Sequence, residues 1–329
     1  MPTDKRARHK AYRQAKQAQL RRAQQRRRNL RRGGVVAAVV VVALVVAALT
    51  AGGGGKKKST VATNSGTATS TTTLAPGAAN AGSAAASPVS ASVAAALTPR
   101  VPPAKSAACA ASTSSTSTST TTVPAKGNAV SIVPAPAKVG FPDLNGSSPR
   151  YTKFSSAPPF CINVNDKYVA TMKTTAGTMK IQLLPRYAPV TVNNFVFLAG
   201  YHYFDGIVFH RVIPGFMDQG GDPTGTGTGG PGYEFKDELP KSAAAYDAGA
   251  LAMANSGPNT NGSQFFITVG KGGQQLQPSY TMFGQVVSGM SVDNKINAGG
   301  NPNPSANGVP PKTLYKILSV SISATPVSS

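Results

Sequence analysis

At 329 residues the chain is long enough for two domains, but its 34 glycines, 26 prolines and 13% charged residues leave too little patterned sequence to fill two cores. Its net charge of +22 is unevenly spread: residues 1–32 hold 13 Lys and Arg against one acid, whereas residues 159–329 hold 11 basic and 9 acidic residues. The basic character therefore belongs to a tail and gives no ground for a nucleic-acid-binding domain.

In chain order, the basic block 1–32 is followed by VVAAVVVVALVVAALTA, Val35 to Ala51, 17 uncharged and almost wholly apolar residues. With Gly33 and Gly34 included, such a run just spans a hydrocarbon core of about 30 Å as a helix. Residues 33–51 are read as a transmembrane helix or signal anchor. The basic excess before it makes residues 1–32 a cytoplasmic tail, with the remainder of the chain outside the cytoplasm. The alternative is a cleaved signal, which would leave the domain secreted; the sequence has no clean A-x-A site for it.

Residues 52–158 are Ala, Ser, Thr, Gly and Pro with few aromatics and no apolar period. The composition predicts a disordered linker that carries a domain away from the membrane. The two cysteines, Cys109 and Cys161, lack metal-ligand spacing and could pair in an exported chain. Their bridge would close a loop of roughly 50 residues, worth ~4 kcal/mol, though it would tether linker more than core.

Residues 159–329 form the folded domain. YVATMKTTAGTMKIQLL reads as two strands around a turn at Ala176–Gly177, and APVTVNNFVFLAG as a helix with Pro189 near its start and Gly200 at its end. Six further strands follow, in IVFHRV, FMDQG, ALAMA, QFFITV, MFGQVV and ILSVSI. GMSVDNKINAGG supplies a second helix, with Val292 and Ile296 pairing on its apolar face. About eight strands and two helices fit one closed barrel.

The chemistry-bearing residues are few. This segment has two histidines, His202 and His210, and no G-x-S-x-G. The loop GTGTGGPG, Gly225 to Gly232, lacks the Lys-Ser/Thr of a phosphate loop and leads into YEFKDE rather than a helix. Arg211, in FHRVIPGFMDQGGD, thus has no nucleophile or acid evidently paired with it.

FHRVIPGFMDQGGDPTGTGTGGPGYEFKDE followed by LAMANSGPNTNGSQFFIT closely resembles the cyclophilin family of peptidyl-prolyl cis-trans isomerases, in particular the small bacterial type. The resemblance runs from about Lys167 to Ile322. It implies an all-β-dominated fold, an eight-stranded antiparallel closed barrel capped by two helices, with a proline-binding groove. Matched by motif, it implies Arg211 as the catalytic residue, with Phe216, Met217 and Gln219 beside it and Ala254, Asn255, Gln264, Phe266, Leu276 and Tyr280 also meeting substrate. It implies proline-containing polypeptides as partners, no cofactor or metal, and a monomeric domain. Gln275 stands where many eukaryotic members carry tryptophan, a departure that bears on cyclosporin sensitivity. Physically, a permanently charged guanidinium can stabilise a twisted amide without covalent chemistry, which accounts for an arginine with no nucleophile.

Overall fold

A computed structural model describes residues 89–109 and 127–327. The basic tail 1–32 and the expected span 33–51 lie outside these residues. Among the described residues no helix is long and apolar enough to cross a membrane.

The domain is built on one antiparallel sheet of eight strands: β1 (Lys167–Thr174), β2 (Gly177–Leu183), β3 (Arg211–Ile213), β4 (Met217–Gly220), β5 (Ala250–Met253), β6 (Phe265–Thr268), β7 (Met282–Ser288) and β8 (Ile317–Thr325). Their spatial order is β3-β4-β6-β5-β7-β2-β1-β8. β1 and β2 show the burial alternation that period-two patterning predicts. The expected closure of the barrel is slighter than a full ladder. β3 is only three residues long, and the sheet's two ends meet through the single bridge Val208–Lys316. The edge of β3 is covered instead by the loop after the last helix: Val212 N–H donates to Gly308, and Asn301 N–H to Val212.

Among the described residues three α-helices accompany the sheet: α1 (Ala91–Ala95), α2 (Pro189–Gly200) and α3 (Met290–Ala298). α2 is the predicted helix, buried along nearly its whole length. Its N-terminus has no side-chain cap of its own. Glu238 supplies one from another loop, accepting from Val190 N–H, Thr191 N–H and the Thr191 hydroxyl. The inner core gathers Phe195, Phe204, Phe209, Phe265 and Phe283 from helix, loop and sheet. In α3 the prediction was incomplete: Ile296 is buried as expected, but its buried neighbours are Asp293 and Asn297, with Val292 only partly covered.

The largest departure concerns the expected linker, 52–158. Its described parts, 89–109 and 127–158, are packed on the domain. Val93, Ala96 and Leu97 join Tyr246, Met217 and Phe266 in a second apolar cluster. Arg100 clamps two loops, its Nε donating to Tyr187 and its Nη2 to Leu239. Downstream, Phe154 packs against Phe197 and Tyr201 with ring centroids 5.0 and 5.8 Å away. The composition misleads because each contact uses isolated apolar residues in Ala- and Ser-rich sequence, with the partner surface supplied elsewhere in the chain. Cys109 and Cys161 are disulfide-bonded, 52 residues apart in sequence. Because Cys161 N–H donates to Asn193 of α2, the bridge ties the upstream segment to the domain body, contrary to the expectation that it would mainly hold linker.

Candidate active site

Strand register brings the arginine to its companions. Arg211 faces Gln219 across β3 and β4, Ile213 faces Met217, and Gln219 faces Phe266 across β4 and β6. Directly paired residues share a face of a sheet, so Arg211, Met217, Gln219 and Phe266 all lie on the face away from the core. Val212, Asp218 and Ile267 lie on the inner face, all buried.

A pocket of about 260 Å³ opens on the outer face. Arg211 and Gln219 form one side, with Phe216, Met217, Phe266 and Leu276 as apolar lining. Ala254, Asn255 and Tyr280 complete it. Nine of the ten residues named from the sequence therefore converge on one cavity. The tenth, Gln264, does not line it. Its Oε1 accepts from Gln219 Nε2 at 2.9 Å, and its Nε2 donates to the Gly229 carbonyl at 2.9 Å. Gln264 thus orients Gln219 and anchors it to the glycine-rich loop, one bond from each of its two amide atoms serving this purpose.

Arg211 is held in a frame that the sequence did not disclose. Nη1 donates to Gln219 Oε1 at 3.1 Å, Nε to the Asn307 carbonyl at 3.0 Å, and Nη2 to Asn307 Oδ1 at 2.7 Å. A guanidinium has five N–H groups, so two remain for a ligand. Burial pulls its pKa down from the ordinary value, while Tyr280 acts the other way. A group that starts so far above neutrality stays a cation. Asn307 has left-handed backbone, φ 50°, and precedes Gly308, where a Cβ would meet the Val212 carbonyl at 2.8 Å. The Asn-Gly pair was visible as turn chemistry, but nothing in the sequence tied that turn to Arg211, 96 residues earlier.

The opposite wall is fixed by backbone contacts. Tyr280 is gripped by Tyr246, whose hydroxyl donates to the Tyr280 carbonyl at 2.7 Å and accepts from its N–H at 3.0 Å. The Tyr280 ring then meets Phe266 edge-on, centroids 5.5 Å apart. Asn255 Nδ2 donates to the Ser279 carbonyl at 2.9 Å, joining the β5 exit to the same loop.

Two other candidates are explained structurally. Asp222 accepts from the N–H groups of Thr224, Thr226, Gly227 and Gly229. Burial opposes its charge, but these donors outweigh burial and hold its carboxyl below the ordinary value. The glycine-rich loop thus spends these N–H groups on its own aspartate, as suits a structural loop. His210 is buried, and burial lowers its pKa, which keeps the ring neutral near pH 7.

With this geometry in place, the comparisons with known proteins concur. Residues 169–322 match the family model described as cyclophilin type peptidyl-prolyl cis-trans isomerase/CLD. The chain is 51% identical over 124 residues to peptidyl-prolyl cis-trans isomerase ppi1 of Schizosaccharomyces pombe, covering 37% of this chain and 79% of that protein. It is 50% identical over 137 residues to peptidyl-prolyl cis-trans isomerase A of Mycobacterium tuberculosis, covering 37% and 75%. Peptidyl-prolyl cis-trans isomerase B of Streptomyces anulatus is 48% identical over 136 residues, covering 37% and 77%.

Proposed function

The chain belongs to the cyclophilin-type peptidyl-prolyl cis-trans isomerases, and from that premise we propose that Arg211 carries the reaction on X–Pro bonds of exported proteins. An X–Pro amide isomerises over a barrier of ~18–20 kcal/mol because resonance must be broken. As the amide twists, the proline nitrogen pyramidalises and gains a lone pair. A donor placed at that nitrogen favours the twisted state over both planar ones. The two N–H groups of Arg211 that have no partner among the described residues, at the wall of an apolar-lined pocket of about 260 Å³, are the observation that carries this reading.

One charge-assisted bond contributes ~1.5–3 kcal/mol, while an acceleration of ~10⁵ requires ~7 kcal/mol. The remainder comes from gripping the ring between Phe216, Met217, Phe266 and Leu276 and from fixing the flanking peptide through Gln219 and Asn255. The basic tail 1–32 and apolar run 33–51 support a single-pass anchor with the isomerase outside the cytoplasm. The Cys109–Cys161 bridge suits the same oxidising compartment. Substrates are then proline-containing segments of proteins folding there, for which slow isomerisation is a bottleneck.

NMR exchange on a short X–Pro peptide tests the reading. The full chain is expected to bring cis and trans signals into fast exchange at substoichiometric concentration. Peptide binding without accelerated exchange would make the domain a proline-binding module instead.

A further inference from the structure

Behind the pocket, two acids occupy positions that patterning would give to apolar side chains. Asp218 sits at the centre of β4, between the pocket residues Met217 and Gln219, with its side chain on the inner face. Asp293 lies on the buried face of α3. Both have 0% exposure. The two acids lie on packed elements, β4 against α3, and the Asp218 carboxylate acts electrostatically on Asp293. Asp218 Oδ2 and both Asp293 oxygens meet no donor among the described residues.

Two ionised carboxylates in that position would be buried and close together, with a donor at only one of their four oxygens among the described residues, an arrangement whose cost is several kcal/mol per ion. A single proton held between them removes the repulsion and supplies the missing donor. The other charged groups of the surrounding elements face elsewhere: Lys295 of α3 and Lys180 of β2 are exposed, and Arg211 of β3 is on the pocket face.

The pair is connected to the pocket by Asn297. Its Nδ2 donates to Asp218 Oδ1 at 2.6 Å and to the Ile213 carbonyl at 3.0 Å, while its Oδ1 accepts from Gly215 N–H at 2.7 Å. These bonds pin both sides of the turn that joins β3 to β4, and that turn carries Phe216. We propose that Asp218, Asp293 and Asn297 form a positioning set for the isomerase pocket, in which a proton shared by the two acids holds the Phe216 turn in its working place. The proposal rests on the isomerase reading of the pocket and adds a pH dependence to it.

Burial pushes Asp218 up to about 7 and, with the neighbouring Asp218 carboxylate adding to burial, Asp293 up to about 9. Between the ordinary carboxylate range and these values the folded chain keeps protons that the unfolded chain has released. The pair's contribution is therefore fully present in acid and declines as pH rises towards about 9. The pocket loosens over the upper part of that window.

The test is a pH series on the full chain, with Asp293→Asn as the comparison, since an amide donates to Asp218 without ionising. Wild-type kcat/KM is expected to fall roughly threefold or more between neutral and alkaline pH, chiefly through KM, with a nearly flat profile in D293N. Parallel falls in both proteins overturn the proposal. Carbon-13 NMR of the aspartate carboxyls in the unaltered chain gives a second readout, independent of that variant's folding. Two carboxyls titrating far above the rest, with the Met217 methyl signal moving in step, support the set. Ordinary titration of every carboxyl overturns it. Because the NMR titration needs no turnover, a chain that fails to isomerise peptides would sink the functional reading while leaving this decision intact.

Discussion

The pocket and the upstream segment that packs on the same domain were built from opposite kinds of sequence. The pocket face comes from strands whose alternation and register bring Arg211, Gln219 and Phe266 together from three different strands. The upstream segment, 89–109 and 127–158, has almost no period and is held by scattered apolar contacts, the Arg100 clamp and the disulfide. One region is specified by its own pattern and the other by a surface it finds elsewhere. The two should therefore fail differently, the pocket losing rate and the segment losing stability.

The largest effect expected is on stability. Replacing Cys109 and Cys161 by serine in the full chain should cost ~4 kcal/mol in urea unfolding. Turnover per folded molecule should change little. Next, Leu97→Ala, at a side chain only 4% exposed, should cost ~2–4 kcal/mol. An unchanged midpoint would mean that the segment merely lies on the domain, and the comparison would break.

Smaller effects sharpen the pocket side. Asn307→Gly keeps the left-handed backbone and its carbonyl but removes the Oδ1 bond to Arg211 Nη2. A fall of about five- to tenfold in kcat/KM is expected, with the melting temperature nearly unchanged. Tyr280→Phe should matter least, within about twofold, because Tyr246 holds the Tyr280 backbone and the phenylalanine ring can still pack edge-on against Phe266. A large loss there would give the Tyr280 hydroxyl a direct role with substrate.

The same contrast explains what could be read in advance. β1, β2 and α2 follow local patterns, and two long motifs carry eight of the ten residues named for the pocket, with Leu276 and Tyr280 in the loop that follows. Gln264, named for substrate, stands outside the pocket lining and bonds Gln219, since residue type alone does not say which partner an amide takes. Asn307 was missed because its bond to Arg211 crosses 96 residues. Asp218 and Asp293 were missed for a related reason: each alone reads as a surface acid, and only their meeting makes burial tolerable. The α1 residues Val93 and its neighbours Ala96 and Leu97 keep helical spacing, but a five-residue helix in Ala-rich sequence is too short to be distinguished from its surroundings.

The most direct test of the central claim is the exchange rate of an X–Pro peptide with Arg211→Ala beside the wild type, both in the full chain and both checked for the same melting temperature. A drop of ~10²-fold or more, with peptide affinity reduced far less, is the result expected if the guanidinium acts on the twisted amide. Equal exchange in the two proteins would contradict it and leave the apolar pocket to account for the isomerisation without Arg211.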